Sequence, residues 1–189
     1  YFNLICKLYI MTKFKVFLTK LKFFYLKLSG KIKKMNTLVE IKKNKNSNIK
    51  NVLLIFPLKE EAFRVALYSF RNLKRKKNTN YYYLINSVHK NHFHLSGYIY
   101  DVYYNQKKNK VDVDKYFINE IMKNKNFEMI VDLNDEFLFD ISYLVNDMSG
   151  YYKIGFKNEY SDYFYNIQLD LPSFGVLENS YSKINMILD

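Results

Sequence analysis

Residues 128–135 read EMIVDLND, and residues 151–156 read YYKIGF. An apolar run stops at Asp-Leu-Asn-Asp, and a second short run follows one helix length later. Runs this short and bounded by polar clusters read as strands, and a helix between them makes a βαβ unit of an open α/β sheet. The first strand then ends in polar residues, at the edge where such sheets carry their ligands.

The same alternation extends in both directions. NVLLIFPL (51–58) is a continuous apolar run, as expected for a strand buried on both faces of a parallel sheet, and Pro57 marks its end. Phe63, Ala66, Leu67 and Phe70 recur at helical spacing, which predicts a helix over 59–74. Glu60 and Glu61 lie in its first turn and KRKK (74–77) at its end, each complementing the helix dipole. YYYLINSV (81–88) reads as a second strand and GYIYDVYY (97–104) as a third, edge-type strand, with QKKNKVD after it as a loop. A helix is expected over 113–125, a fourth strand from Phe127 to Leu133 and a helix over 135–149. Gly150 then stands where a left-handed C-cap is expected. A strand within 163–171 and a helix over 177–188 complete the pattern. The fold class is α/β: a single Rossmann-like, open, mainly parallel sheet with helices on both faces.

Composition narrows the function classes. The one cysteine, Cys6, excludes a disulfide framework and a cysteine-based zinc site. The net charge of +12 is unevenly placed. Residues 1–50 hold thirteen lysines against Glu40 alone, whereas residues 51–189 hold seventeen basic and seventeen acidic side chains. The body is therefore neutral, and its tyrosines sit at core-like spacing, so nucleic acid is a disfavoured partner.

The excess charge lies on a leader. Over residues 12–34, Lys13, Lys20, Lys27 and Lys34 repeat every seven residues, with Lys31 continuing their face. Phe14, Phe17, Leu18, Leu21, Phe24, Tyr25 and Leu28 recur at steps of three and four. This is a basic amphipathic helix preceding the sheet. It either packs on the body through its apolar stripe or lies on an anionic membrane or acidic partner. The division expected is a leader over 1–41, a polar linker over 42–50 (KKNKNSNIK) and the α/β domain over 51–189. No run of apolar residues is long enough to span a bilayer, and no signal-peptide cleavage pattern follows an apolar core. Met11 and Met35 are internal candidates for the start.

Candidate chemistry gathers at the strand ends. Asp132 is a candidate general base, with Asn134 and Asp135 as acceptors that either bind substrate or cap the next helix. Glu61 and Arg64 are placed to meet them from the first turn and helix. That turn, FPLKEEAFR, has no glycine, neither a dinucleotide nor a P-loop fingerprint occurs, and Glu60 and Glu61 repel phosphate. HKNHFH brings His89, His92 and His94 close in sequence without a nearby cysteine or carboxylate, so neither metal nor cofactor is assigned.

NVLLIFPL with its helix, followed by VDLND (131–135), SG (149–150) and YKIGF (152–156), resembles the N-terminal half of glycosyltransferase family 9, the lipopolysaccharide heptosyltransferase-like enzymes. The resemblance covers residues 51–170. It also extends to short bacterial proteins with the same basic leader and P-x-x-E-x-x-F-R-V-A core. It implies a cytoplasmic protein, peripheral at the inner membrane, acting on a glycan or lipid-linked acceptor in cell-envelope metabolism. The family's first turn carries Gly-Asp near its catalytic base; here Lys59, Glu60 and Glu61 stand there, with Glu61 the nearest replacement acid. The family's second domain holds the sugar nucleotide, and 189 residues do not accommodate it. The resemblance thus implies a half-transferase: a binding or accessory domain without independent catalysis. The alternatives are a transferase completed by homo-oligomerisation and an adaptor whose leader binds anionic membrane or RNA.

Overall fold

The computed structural model describes residues 17–35, 49–73, 78–171 and 177–188. The chain divides into two compact units, residues 1–34 and 35–189. The expected linker falls almost wholly outside the described residues, as do Met11, Lys13 and the KRKK cluster.

In the first unit, residues 17–28 form helix α1. Phe17, Leu18, Leu21, Phe24, Tyr25 and Leu28 are each 45–72% exposed.

The second unit is built on a seven-stranded sheet. Its strands are β1 (Asn51–Ile55), β2 (Asn80–Asn86), β3 (Tyr98–Asn105), β4 (Lys110–Val113), β5 (Phe127–Asp132), β6 (Gly150–Phe156) and β7 (Ile167–Leu169). They lie in the order β4-β3-β2-β1-β5-β6-β7. Every pairing is parallel except β3 with β4. The order reverses direction at β1, so the crevice between β1 and β5 is the topological switch point.

Helix α2 (Glu60–Phe70) connects β1 to β2, and α4 (Phe139–Asp147) connects β5 to β6. These crossovers run in opposite directions along the sheet, so right-handedness places the two helices on opposite faces. The C-terminal helix α5 (Leu177–Leu188) packs beside α2, where Asn185 Nδ2 donates to the Ser69 carbonyl at 2.7 Å. Residues 115–124 are helical, π-helical over Phe117–Ile121 and ending in the short α3 (Met122–Asn124).

The core follows from strand alternation. Val52, Leu54 and Phe56 pack with Phe63, Ala66 and Phe70 of α2 and Tyr181 and Ile184 of α5. Phe56 is the hub, meeting Phe63, Phe70, Tyr83 and Phe93 edge-on at 5.1–6.1 Å between ring centres, a favourable aromatic geometry. Tyr81, Tyr82 and Tyr83 are all buried, as their core-like spacing indicates.

Four local expectations are corrected. QKKNKVD is not wholly a loop: residues 106–109 turn, with Asn109 at φ 48°, and β4 returns antiparallel along β3. Consequently β3 is interior. The helix expected from 59 to 74 stops at Phe70. The helix expected from 135 begins only at Phe139, and neither Asn134 nor Asp135 caps it; the N-cap is Leu138, with no side-chain bond. Gly150 is the first residue of β6, not a left-handed cap. Packing explains the glycine, because a Cβ there would lie 2.6 Å from Ile130 Cδ1.

Candidate functional site

The strand ends at the switch point are joined by buried polar side chains. Leu58, in the turn from β1 to α2, has both backbone groups taken. Its N–H donates to Asn134 Oδ1 at 3.0 Å, and its carbonyl accepts from Asn86 Nδ2 at 2.9 Å. Asn86 ends β2 and Asn134 follows β5, so two amides fix the turn where a dinucleotide fold would place glycines.

Asp132, 3% exposed, closes β5. Its Oδ1 accepts from the Asn134 backbone at 3.0 Å and from Asn134 Nδ2 at 2.7 Å. Its Oδ2 accepts from the Tyr165 hydroxyl at 2.5 Å. Tyr165 in turn pairs with Ser142 of α4 at 3.0 Å. Gly155 makes this reach possible: a Cβ there would sit 2.6 Å from the Tyr165 ring. Burial pushes the Asp132 carboxyl up, while the bonds from Tyr165 and Asn134 pull it back. Burial, with the neighbouring Asp132 charge, holds the Tyr165 phenol well above its ordinary value.

Beside this network lies an open cleft above the C-terminal ends of β1, β2 and β3. A cavity of about 530 Å³ is lined by Leu58, Lys59, Glu60, Glu61, Asn86, Val88, His89, Tyr104 and Gln106. A second, of about 380 Å³, is lined by Glu60, Phe63, Arg64, Leu67, Val88, His89 and His92. The two share Glu60, Val88 and His89, and so flank one ridge. His89 sits on the 3-10 turn Ser87–His92 after β2. It is 8% exposed, its ring stacks on Phe63 at 4.6 Å, and its Nε2 has no hydrogen-bond partner among the described residues.

The charges of the cleft are largely spent. Lys59 pairs with Glu136, whose contact holds its ammonium above the ordinary lysine value. Arg64 pairs with Glu60 at 2.5 Å, one helical turn apart. Glu61 is exposed and has no ion pair among the described residues.

The sequence candidates thus separate into two groups. Asp132 and Asn134 are brought together, buried, with Asp135 half-buried next to them. Glu61 and Arg64 line the cleft instead, one in each cavity. Of the three histidines, His92 and His94 are exposed, and His94 Nδ1 lies 3.2 Å from the His92 carbonyl. Among the described residues, no group of three or more His, Cys, Asp or Glu is arranged to hold a metal. Residues not singled out in the sequence also matter. Asn86, the polar end of an apolar strand, was legible as a strand-end polar group. Tyr165 was not, since only the fold brings it to Asp132.

Fold and site together define a Rossmann-like α/β domain with a polar cleft at the carboxyl ends of its strands. The solved structure of the E. coli heptosyltransferase WaaC with ADP is similar, with a TM-score of 0.54 and 14% identity. The likeness covers 71% of this chain and 45% of that one, so the chain spans less than half of its length. At that identity it is a likeness of fold alone. No protein-family model and no curated protein sequence matches the chain. Among the described residues no helix is long and apolar enough to cross a membrane.

Proposed function

We propose that the domain binds an uncharged or amino-bearing glycan in the cleft between α2 and the turn after β2, as a binding or accessory domain in cell-envelope glycan metabolism, without catalysis of its own. The observation that carries this reading is His89, a residue of the cleft wall whose buried Nε2 has no hydrogen-bond partner among the described residues. An unpaired buried polar group costs about 1–3 kcal/mol, and a ligand hydroxyl would relieve that cost. Glu61 and Gln106 add a carboxylate and an amide for further hydroxyls, and Val88 and Leu67 offer apolar surface for a sugar face. Glu60 and Glu61 at the start of α2 disfavour phosphate there. The similarity in fold to a heptosyltransferase supports a glycan as the ligand class. The accessory role is supported by Asp132, whose two oxygens are engaged within the fold and offer no lone base to the cleft.

Thermal unfolding of the full chain against neutral glycans, amino sugars, nucleotides and sugar nucleotides tests this. A glycan at a hundred times its dissociation constant is expected to stabilise by about 2.7 kcal/mol, and free nucleotides to have no effect. His89→Phe keeps the stack on Phe63 and removes the nitrogen. It is expected to abolish the shift while raising intrinsic stability by about 1 kcal/mol. A shift with nucleotides alone would overturn the reading.

A further inference from the structure

Helix α1 carries an exposed apolar stripe. At 3.6 residues per turn, Phe17, Leu18, Leu21, Phe24, Tyr25 and Leu28 fall within about 120° of arc. All six are exposed, Leu28 by 72% and Tyr25 by 65%. Lys20 and Lys27 border the stripe on one side and Lys22 on the other, and all three ammonium-bearing side chains are exposed. The less exposed residues of the helix, Phe23 and Leu26, lie on the opposite side. The stripe is thus an exposed aromatic and aliphatic face rimmed by cations.

The helix also ends firmly. Gly30 adopts φ 69°, its N–H donates to the Lys27 carbonyl at 3.1 Å, and the Lys31 N–H donates to the Leu26 carbonyl at 3.0 Å. This is a Schellman closure, in which a left-handed glycine satisfies the last carbonyls. The helix therefore has its own stop signal.

From this geometry we infer that α1 is an interfacial helix that lies flat on an anionic lipid bilayer, with the six-residue stripe in the acyl boundary and the lysines at the headgroups. Charge complementarity selects the occupant. Residues 1–50 carry the whole excess of +12 while the remainder is neutral, which matches a surface of negative headgroups. A helix with an apolar face and a lysine rim lies at such an interface. Each lysine near an anionic surface adds about a fivefold gain in binding.

Co-sedimentation of the full chain with vesicles tests the inference. Vesicles of mixed phosphatidylglycerol and phosphatidylcholine are expected to capture the chain, and phosphatidylcholine alone to capture it far less. Raised salt is expected to weaken capture. Phe24→Glu/Leu28→Glu, at two exposed positions, is expected to reduce capture by about tenfold or more even at low salt. Lys20→Gln/Lys27→Gln is expected to reduce it by about fivefold per lysine. Phe24→Trp, in a chain with no native tryptophan, is expected to shift its emission to the blue on anionic vesicles. Equal capture by neutral vesicles, unchanged capture of the glutamate variant, or a chain that dimerises through the stripe and ignores vesicles would each overturn the inference.

Discussion

Asp132 shows how one residue's role depends on what the fold brings to it. In the sequence it is an acid at the end of an apolar strand, the position of a candidate base. In the fold it is a buried acceptor of three hydrogen bonds that ties β5 to Asn134 and to Tyr165. Tyr165→Phe removes a donor to a buried carboxylate and is expected to cost about 1.5–3 kcal/mol in urea unfolding. Gly155→Ala drives a Cβ into the Tyr165 ring and is expected to cost about 1–3 kcal/mol. Because that displacement also breaks the Asp132 bond, the two changes together should cost less than their sum. Lys153 gives a separate prediction. It is 5% exposed on β6, and its Nζ donates to the Asn146 carbonyl at 3.0 Å. Burial lowers its ammonium from the ordinary 10.5 to about 8. Between those values the unfolded chain binds more protons than the folded one, so stability should rise as pH climbs through that window. In Lys153→Met the rise attributable to this group should be absent, as read from urea midpoints of both proteins at matched pH.

At the scale of elements, the turn from β1 to α2 rests on the two asparagines that hold Leu58. Asn134→Ala strips the partner from the Leu58 N–H and the Nδ2 bond from Asp132, leaving the backbone bond to Asp132 in place. It is expected to destabilise by about 2 kcal/mol or more, measured by denaturant unfolding. The elements themselves were legible where periodicity was long and uninterrupted. β1 is buried on all but its first residue and reads as a continuous apolar run; the α5 bounds expected from spacing match the observed Leu177–Leu188. Legibility failed where tertiary contacts override local signals. Asn134 looks like a helix cap, yet Leu58 and Asp132 claim its side chain. Gly150 looks like a helix stop, yet Ile130 explains it. The lysine- and asparagine-rich hairpin to β4 has no alternating apolar pattern; the strand is secured by pairing with β3 and by Asp140 accepting from the Val111 N–H at 3.2 Å.

For the whole molecule, the doubly wound sheet was readable because apolar strands alternate with amphipathic helices along the body, and the right-handed crossover rule leaves few ways to assemble them. The site was half readable. Strand-end polar groups pointed to the edge of the sheet where the candidate cleft lies, but which of them face inward and which line the cleft depends on distances no sequence pattern encodes. His89 illustrates this: three histidines in six residues look alike in sequence, and only one is buried against Phe63 with a free nitrogen. The proposed glycan site has His89 in its wall. The most direct test is the imidazole nitrogen spectrum of the full chain, titrated with neutral glycans and amino sugars. A glycan bound there is expected to move the His89 Nε2 signal and leave those of His92 and His94 in place. Movement of His92 or His94 alone, or binding that leaves all three unmoved, would contradict it.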